Sequence, residues 1–286
     1  MTTIDTSQVA PQRYIGKYGD NTITYEVFTY DNTYDEYGGV VNYVIYSHSS
    51  YFRILEIQTD YMCGRGHLTL FIDKNDLNLT HIYRKYDAVI FYDEKLPYGQ
   101  RLLTCINQIN YDYFVMIHDI DILFHINIPR VLGLIRFLKT NNFDRVDFQL
   151  ARDFDITHGN IMSANGLYLV KSTNTDTTAN GYIYNVNPSI WRREPLIKIL
   201  EKYGNKDYRE IEATEVQNFC LQFKIFKLFS KTVYRCGYFI CLEPFKYLHI
   251  THGRKLLSLD NLSDESSVDI KKEYEKIISK YNLQSL

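Results

Sequence analysis

The chain of 286 residues is 45% hydrophobic and 23% charged, with a formal net charge of −2. That length supports one large domain or two small ones, and the balance favours a single α/β unit. Near-neutrality excludes the broad basic footprint of a nucleic-acid or membrane-surface binder, so an anionic ligand must be held by a local constellation.

The opening "MTTIDTSQVAPQRYIG" lacks a basic segment followed by an apolar run, and no apolar stretch approaches the roughly 18 residues of a transmembrane segment. Cys63, Cys105, Cys220, Cys236 and Cys241 are scattered and odd in number. They fit free thiols in a reducing compartment better than a disulfide framework or a zinc site. The sequons at Asn78 and Asn261 carry little meaning without secretion. A soluble, cytoplasmic protein is expected.

Residues 1–39 are polar, punctuated by Tyr and Gly, and read as an N-terminal extension or irregular edge strands. From residue 40 the pattern changes. "VVNYVIYS" is a strand-type apolar run, and "SYFRILEIQTDYM" spaces Phe52, Leu55, Ile57 and Tyr61 as a helix does. "HLTLFID" and "DAVIFYD" are further strands, and "YGQRLLTCINQI" is a helix with Leu102, Leu103, Ile106 and Ile109 facing inward. "YDYFVMIHDIDILF" then gives a strand over Tyr113 to Ile117 that ends in His118, Asp119 and Asp121. A helix starts at Pro129 in "PRVLGLIRFLKTN", since proline suits a first helical position. "VDFQLA" and "NGLYLVKS" are strands, "REPLIKILEKYG" is a helix ended by Gly204, and "IEATEVQNFCLQF" is another. "FKYLHITH" is a late strand. The tail "SSVDIKKEYEKIISKY" places Ile270, Tyr274, Ile277 and Tyr281 on one stripe of a docked helix. Three segments follow: the extension 1–39, one catalytic-type domain over 40–258, and the C-terminal amphipathic helix over 259–286.

Strands alternating with helices predict βαβ units and a mostly parallel sheet. Ligands of such sheets bind beyond the carboxyl ends of the strands, and His48, Asp73, Asp93 and Asp119 all fall there. An Asp-x-Asp triplet such as Asp119-Ile120-Asp121 also arises in ordinary acidic turns. Between apolar stretches, however, a carboxylate pair is costly unless a cation or donors neutralise it. Oxygen ligands suit Mg²⁺ or Mn²⁺ bridging to phosphate. "YLHITHGRK" adds two histidines, a glycine and two cations, which could complete a cation-diphosphate site or be a core His249 and a solvated turn. Trp191 could be a sugar platform or a core residue, and the polar segment "STNTDTTANG" reads as an acceptor-side loop.

The combination of "VIYSHSSYFRIL", "HDIDIL", "YNVNPSIW", "YREIEATEVQ" and "HITHGRK", spanning roughly residues 40–255, resembles nucleotide-sugar glycosyltransferases of the GT-A fold, in the style of those of large DNA viruses. The resemblance implies a Rossmann-like α/β sheet flanked by helices and a Mn²⁺ or Mg²⁺ cofactor. It implies a UDP-sugar donor and a glycan or small acceptor. By the same resemblance Ser47, His48, Ser49, Asp73, Arg101, His118, Asp119 and Lys255 would line the donor nucleotide. Asp119, Asp121 and His249 or His252 would hold the metal. Glu212 would be the base of an inverting transfer, with Glu215 and Asp153 as rivals. A nucleotidyltransferase acting on a sugar phosphate is the alternative enzyme, although "YSHSSYF" offers neither glycine nor cation before Arg53. A non-catalytic carbohydrate-binding protein is the alternative from another class.

Overall fold

The computed structural model describes residues 12–18, 21–29, 39–74, 79–150, 161–164, 167–173, 182–229, 235–236, 239–242, 245–252, 255–256 and 268–283. Strands β1 (Gln12–Tyr18) and β2 (Asn21–Thr29) pair antiparallel. A run of βα units follows: β3 (Asn42–Tyr46), α1 (Phe52–Met62), β4 (His67–Asp73), α2 (Thr80–Tyr83), β5 (Ala88–Tyr92), α3 (Tyr98–Ile106) and β6 (Tyr113–His118). All six residues of β6 are buried, as its continuous aromatic and β-branched run requires of a strand covered on both faces. β3, β4, β5 and β6 are mutually parallel and stand in the order β5-β4-β3-β6. The chain therefore leaves β3 on one side and returns as β6 on the other, which makes the crevice between their carboxyl ends a topological switch point.

Beyond β6 come β7 (Asp121–Ile126), α4 (Ile128–Asn141), β8 (Arg145–Leu150), β9 (Ile161–Ala164), β10 (Leu167–Lys171), β11 (Ser189–Arg192), α5 (Arg193–Tyr203), α6 (Thr214–Cys220) and β12 (Ile225–Phe229). Asn127 caps α4 by accepting from Arg130 N at 3.2 Å, one residue earlier than a start at Pro129 would place the cap. β11 lies antiparallel between β6 and β8, so the eleven-stranded sheet, β1-β2-β9-β10-β12-β8-β11-β6-β3-β4-β5, is parallel around the switch point and mixed elsewhere. The last elements are β13 (Arg235–Cys236), β14 (Phe239–Leu242), β15 (Phe245–His249), the hairpin β16 (Thr251–His252) and β17 (Lys255–Leu256), and α7 (Val268–Lys280). β13-β14-β15-β7 form a second sheet in which β15 runs antiparallel to β7, with His249 directly opposite Asp121.

Alternation along β3 feeds two core layers: Tyr43 and Ile45 pack with Leu134 and Phe137 of α4, Val44 and Tyr46 with Leu102, Leu196 and Trp191. Trp191 is thus a core residue, 2% exposed. A third cluster joins Ile54 and Ile57 of α1, Ile122 of β7 and Leu248 of β15 to Tyr274 and Ile277 of α7. Cys63, Cys105 and Cys220 are free thiols. Among the described residues, no helix is long and apolar enough to cross a membrane.

Helices α3 and α5 approach so closely at Gly99 and Gly204 that a Cβ on Gly99 would lie 2.8 Å from the Gly204 Cα. Gly99→Ala is expected to cost about 1–3 kcal/mol of unfolding free energy by overpacking against backbone that cannot yield, measured by urea denaturation. An unchanged midpoint would show that the helices slide apart freely.

Candidate active site

The switch point is closed by a side chain from one strand end holding the backbone of the other. The Asp119 N–H donates to Tyr46 O at 2.9 Å, extending the β3–β6 ladder. Its carboxylate turns back to accept from Ser47 Oγ at 3.2 Å and from His48 N at 3.1 Å. One strand further along, Asp73 accepts from Ser49 N and, at 2.6 Å, from Ser49 Oγ. His48 Nδ1 accepts from Ser50 N at 3.0 Å, and its Nε2 faces Glu94 Oε1 at 2.9 Å. Ser47, His48, Ser49, Asp73 and Asp119 therefore form one continuous ridge along the carboxyl ends of β3, β4 and β6. Ligating atoms of His48, Asp73 and Glu94 lie within 4.8 Å of one another.

The second half of the site is the β7–β15 ribbon. Asp121 Oδ1 and His249 Nδ1 are 3.1 Å apart, and Asp121 is almost wholly buried. Burial raises the Asp121 pKa against the opposing pull of His249. The pKa of Asp119 is pushed up to about 7 by burial and by the Asp121 charge, despite donation from the His48 N–H and the Ser47 hydroxyl. Burial works against a charged His249, yet the hydrogen bond and charge of Asp121 raise its pKa overall. His252 and Lys255 sit opposite each other in the β16–β17 hairpin that follows; their side chains lie outside the described residues.

Glu212 supplies the third element. It ends the short turn Glu210–Glu212 before α6, and its Oε1 accepts from Val186 N at 3.0 Å. Burial pushes its pKa up to about 7; the Val186 N–H and Arg145 oppose this and the Asp147 charge adds to it. Glu215, one turn further on, is 57% exposed and pairs with Lys206. Asp153 lies outside the described residues. Of the two candidate bases among the described residues, Glu212 is the less exposed.

Two placements differ in kind from the nucleotide-lining role that the resemblance implies. Arg101 Nε donates to Leu96 O at 2.5 Å and its guanidinium lies over the Tyr92 ring at 5.7 Å, beneath the ridge. His118 Nε2 shares a hydrogen bond with Tyr98 OH at 2.7 Å, and burial lowers its pKa to about 4, so it stays neutral under the ridge.

Several residues that shape the site carry no motif. Arg145, wholly buried, donates to Ile183 O at 2.9 Å, Asn185 Oδ1 at 2.7 Å and Ser189 Oγ at 3.2 Å, and lies 4.6 Å from the Trp191 ring centre. Asn185 in turn donates to Asp147. Gln217 Oε1 accepts from Ile183 N at 2.7 Å and Tyr184 N at 2.8 Å, while its Nε2 donates to Glu212 O at 3.0 Å. The segment bearing Val186 and the turn bearing Glu212 are thereby locked together from beneath. "YNVNPSIW" and "YREIEATEVQ" were the only signals of it in the sequence.

No protein-family model matches the chain, and no curated protein matches it in sequence. Among solved structures it is similar to a UDP-glucose pyrophosphorylase in complex with UDP-glucose, at 13% identity and a TM-score of 0.42, covering 83% of this chain and 99% of that one. It is similar to a cytidylyltransferase from Leptospira borgpetersenii at 14% identity and a TM-score of 0.43, covering 87% and 99%. A third neighbour is S. aureus TarS 1-349, at 12% identity and a TM-score of 0.41, covering 66% and 60%. Likeness at this level does not bear on the chemistry of the crevice.

Gln217→Leu keeps the volume of the side chain but strands the Ile183 and Tyr184 N–H groups. The expected cost is about 1–3 kcal/mol for each buried donor left unsatisfied, read by chemical denaturation. A variant as stable as the parent would mean that the segment finds other partners.

Proposed function

We propose that the protein is a glycosyltransferase that moves a sugar from a nucleoside diphosphate sugar, UDP-sugar preferred, to a hydroxyl of a glycan or small acceptor. The observation that carries this reading is Glu212: a carboxylate held in place by a backbone N–H, its pKa pushed up to about 7 by burial, whose charge reaches the same Tyr208 hydroxyl as the charges of Asp119 and Asp121. A general base works best when its pKa lies near the working pH.

Among the described residues only His48, Asp73 and Glu94 bring three ligating atoms within 4.8 Å of one another; Asp119, Asp121 and His249 offer the donor types of a hard divalent cation and would have to draw together around it. Two carboxylates buried close enough for the charge of one to raise the pKa of the other gain from neutralisation, and oxygen ligands with one imidazole suit Mn²⁺ or Mg²⁺. Bound between Asp119, Asp121 and His249, such an ion would supply charge stabilisation to the departing diphosphate. The remaining work falls to the chain. The ridge of Ser47, His48, Ser49 and Asp73 offers hydroxyl groups and carboxylate oxygens for the base and ribose of the donor. Glu212 takes the proton of the acceptor hydroxyl as its oxygen bonds to the anomeric carbon and the carbon–oxygen bond to diphosphate breaks. The result is an inverted centre.

The nucleotidyltransferase alternative calls for cations in the loop after β3. The first cation there, Arg53, is directed to the backbone oxygens of Tyr281 and Asn282 at 3.4 and 3.3 Å. This favours the transferase reading.

With UDP-sugars and Mn²⁺, release of UDP should be lost in Asp121→Asn and His249→Ala. Glu212→Gln should lower kcat by about 10²–10⁴ with little change in donor KM, as for removal of a general base. Variants as active as the parent would end the assignment. The same carboxylate has a signature in stability. Its pKa rises from 4.5 to about 7 on folding, so its penalty is absent below pH 4.5 and grows as pH rises through about 7. The Tm difference between Glu212→Gln and the parent should therefore shift in favour of the variant across that window, and kcat of the parent should climb through about pH 7. A flat difference would mean that Glu212 is solvated.

A further inference from the structure

The crevice has one wall that neither the cation site nor the base uses. Tyr208 stands in the turn between α5 and α6 and leaves 39% of its surface exposed. Among the described residues the other large apolar side chains that exposed are Val40, Phe52, Phe91 and Leu221. Tyr208 is set apart from them by its neighbours. Its ring lies nearly perpendicular to Tyr98, at 5.3 Å between centres, and to His118, at 6.3 Å. Tyr98 is itself buried and tied to His118 through its hydroxyl, so Tyr208 leans on a fixed support. Burial of its hydroxyl, and then the negative charges of Glu212, Asp121 and Asp119, raise the pKa of that hydroxyl.

A tyrosine that leaves part of its surface exposed within electrostatic reach of three carboxylates matches one ligand chemistry well. A pyranose presents an apolar C–H face to the ring and hydroxyl donors to the carboxylates. A bare anion would be repelled by the same carboxylates, and a purely apolar ligand would leave them unpaired. The Tyr hydroxyl adds a donor and an acceptor at the edge of the platform.

We propose that Tyr208 is the sugar-contacting wall of the crevice, its ring stacking on a neutral pyranose and its hydroxyl fixing the orientation of that ring toward Glu212. Taken with the transferase reading, on which this role rests, the pyranose is the acceptor, and the acceptor class is a hexose-bearing glycan or glycoside.

The test uses the full chain and methyl α- and β-glucopyranoside, galactopyranoside and mannopyranoside as probes, in saturation-transfer NMR with UDP and Mg²⁺ present. At least one glycoside should receive saturation, strongest at the C–H protons of one ring face. Tyr208→Ala should weaken that binding by about tenfold or more, the scale of losing a buried aromatic contact. Tyr208→Phe should keep the ring-face signal with a smaller loss. The rise in Tm given by UDP and Mg²⁺ should be the same in all three proteins, which also shows that the variants are folded. Saturation in none of the glycosides with the parent, or equal saturation with Tyr208→Ala, overturns the proposal. Glycoside binding through Tyr208 without a UDP-dependent rise in Tm would leave the platform standing and remove the transferase reading instead.

Discussion

The burial of several neighbouring carboxylates is the constraint around which the structure is arranged. Asp119, Asp121, Asp147 and Glu212 are near enough for the charge of one to raise the pKa of another. Burying an anion is expensive unless donors or a counter-charge accompany it. Each therefore has its own partner from a different part of the chain: Ser47 and the His48 N–H for Asp119, His249 for Asp121, Asn185 and Arg145 for Asp147, the Val186 N–H for Glu212. These partners neutralise incompletely, and two of the four groups are left with a pKa near 7. On the proposed function, that incompletely offset burial is what a cation and a proton-bearing substrate would exploit.

The sheet gives this arrangement its directions. β3 and β6 run parallel side by side, so their ends deliver the ridge and the first carboxylate to one place. The β7–β15 ribbon leaves the sheet at that point and sets Asp121 opposite His249 by register, across 128 residues of sequence. Glu212 comes from a third direction, on a turn whose backbone is held by Gln217. Convergence of three separate elements makes the geometry of the site a property of the packed domain rather than of any one loop.

Much of this was legible in the sequence because it depends on local patterns. The apolar runs of β3, β4 and β6, the periodicity of α1 and α5 and the acidic end of β6 are all short-range signals, and the tail helix shows its stripe plainly. β11 escaped because four residues, "SIWR", carry no period of their own; they form a strand only because β6 and β8 leave a slot between them. Arg145 and Gln217 escaped for a different reason. A buried guanidinium or carboxamide has the same letter as an exposed one, and its meaning lies in partners about 40 residues away. A tryptophan letter suits a sugar platform and a core alike, and burial against Arg145 makes Trp191 the latter. Glu212 was the preferred letter over Glu215 only by resemblance; in the fold Glu212 accepts from the Val186 N–H and Glu215 pairs with Lys206.

The docking of α7 reaches beyond the surface it covers. Tyr274 and Ile277 press on Ile122 and Leu248, the residues next to Asp121 and His249, and Tyr281 OH anchors the end of the helix to Asp60 at 2.6 Å. On the ribosome the strands that form the ridge emerge well before this helix does. The nascent domain can thus close its parallel core early, while the ribbon that pairs carboxylate with imidazole gains its outer support only when α7 has left the exit tunnel. A fusion partner joined after that helix needs a slack linker, because a taut one would pull on the ribbon from behind.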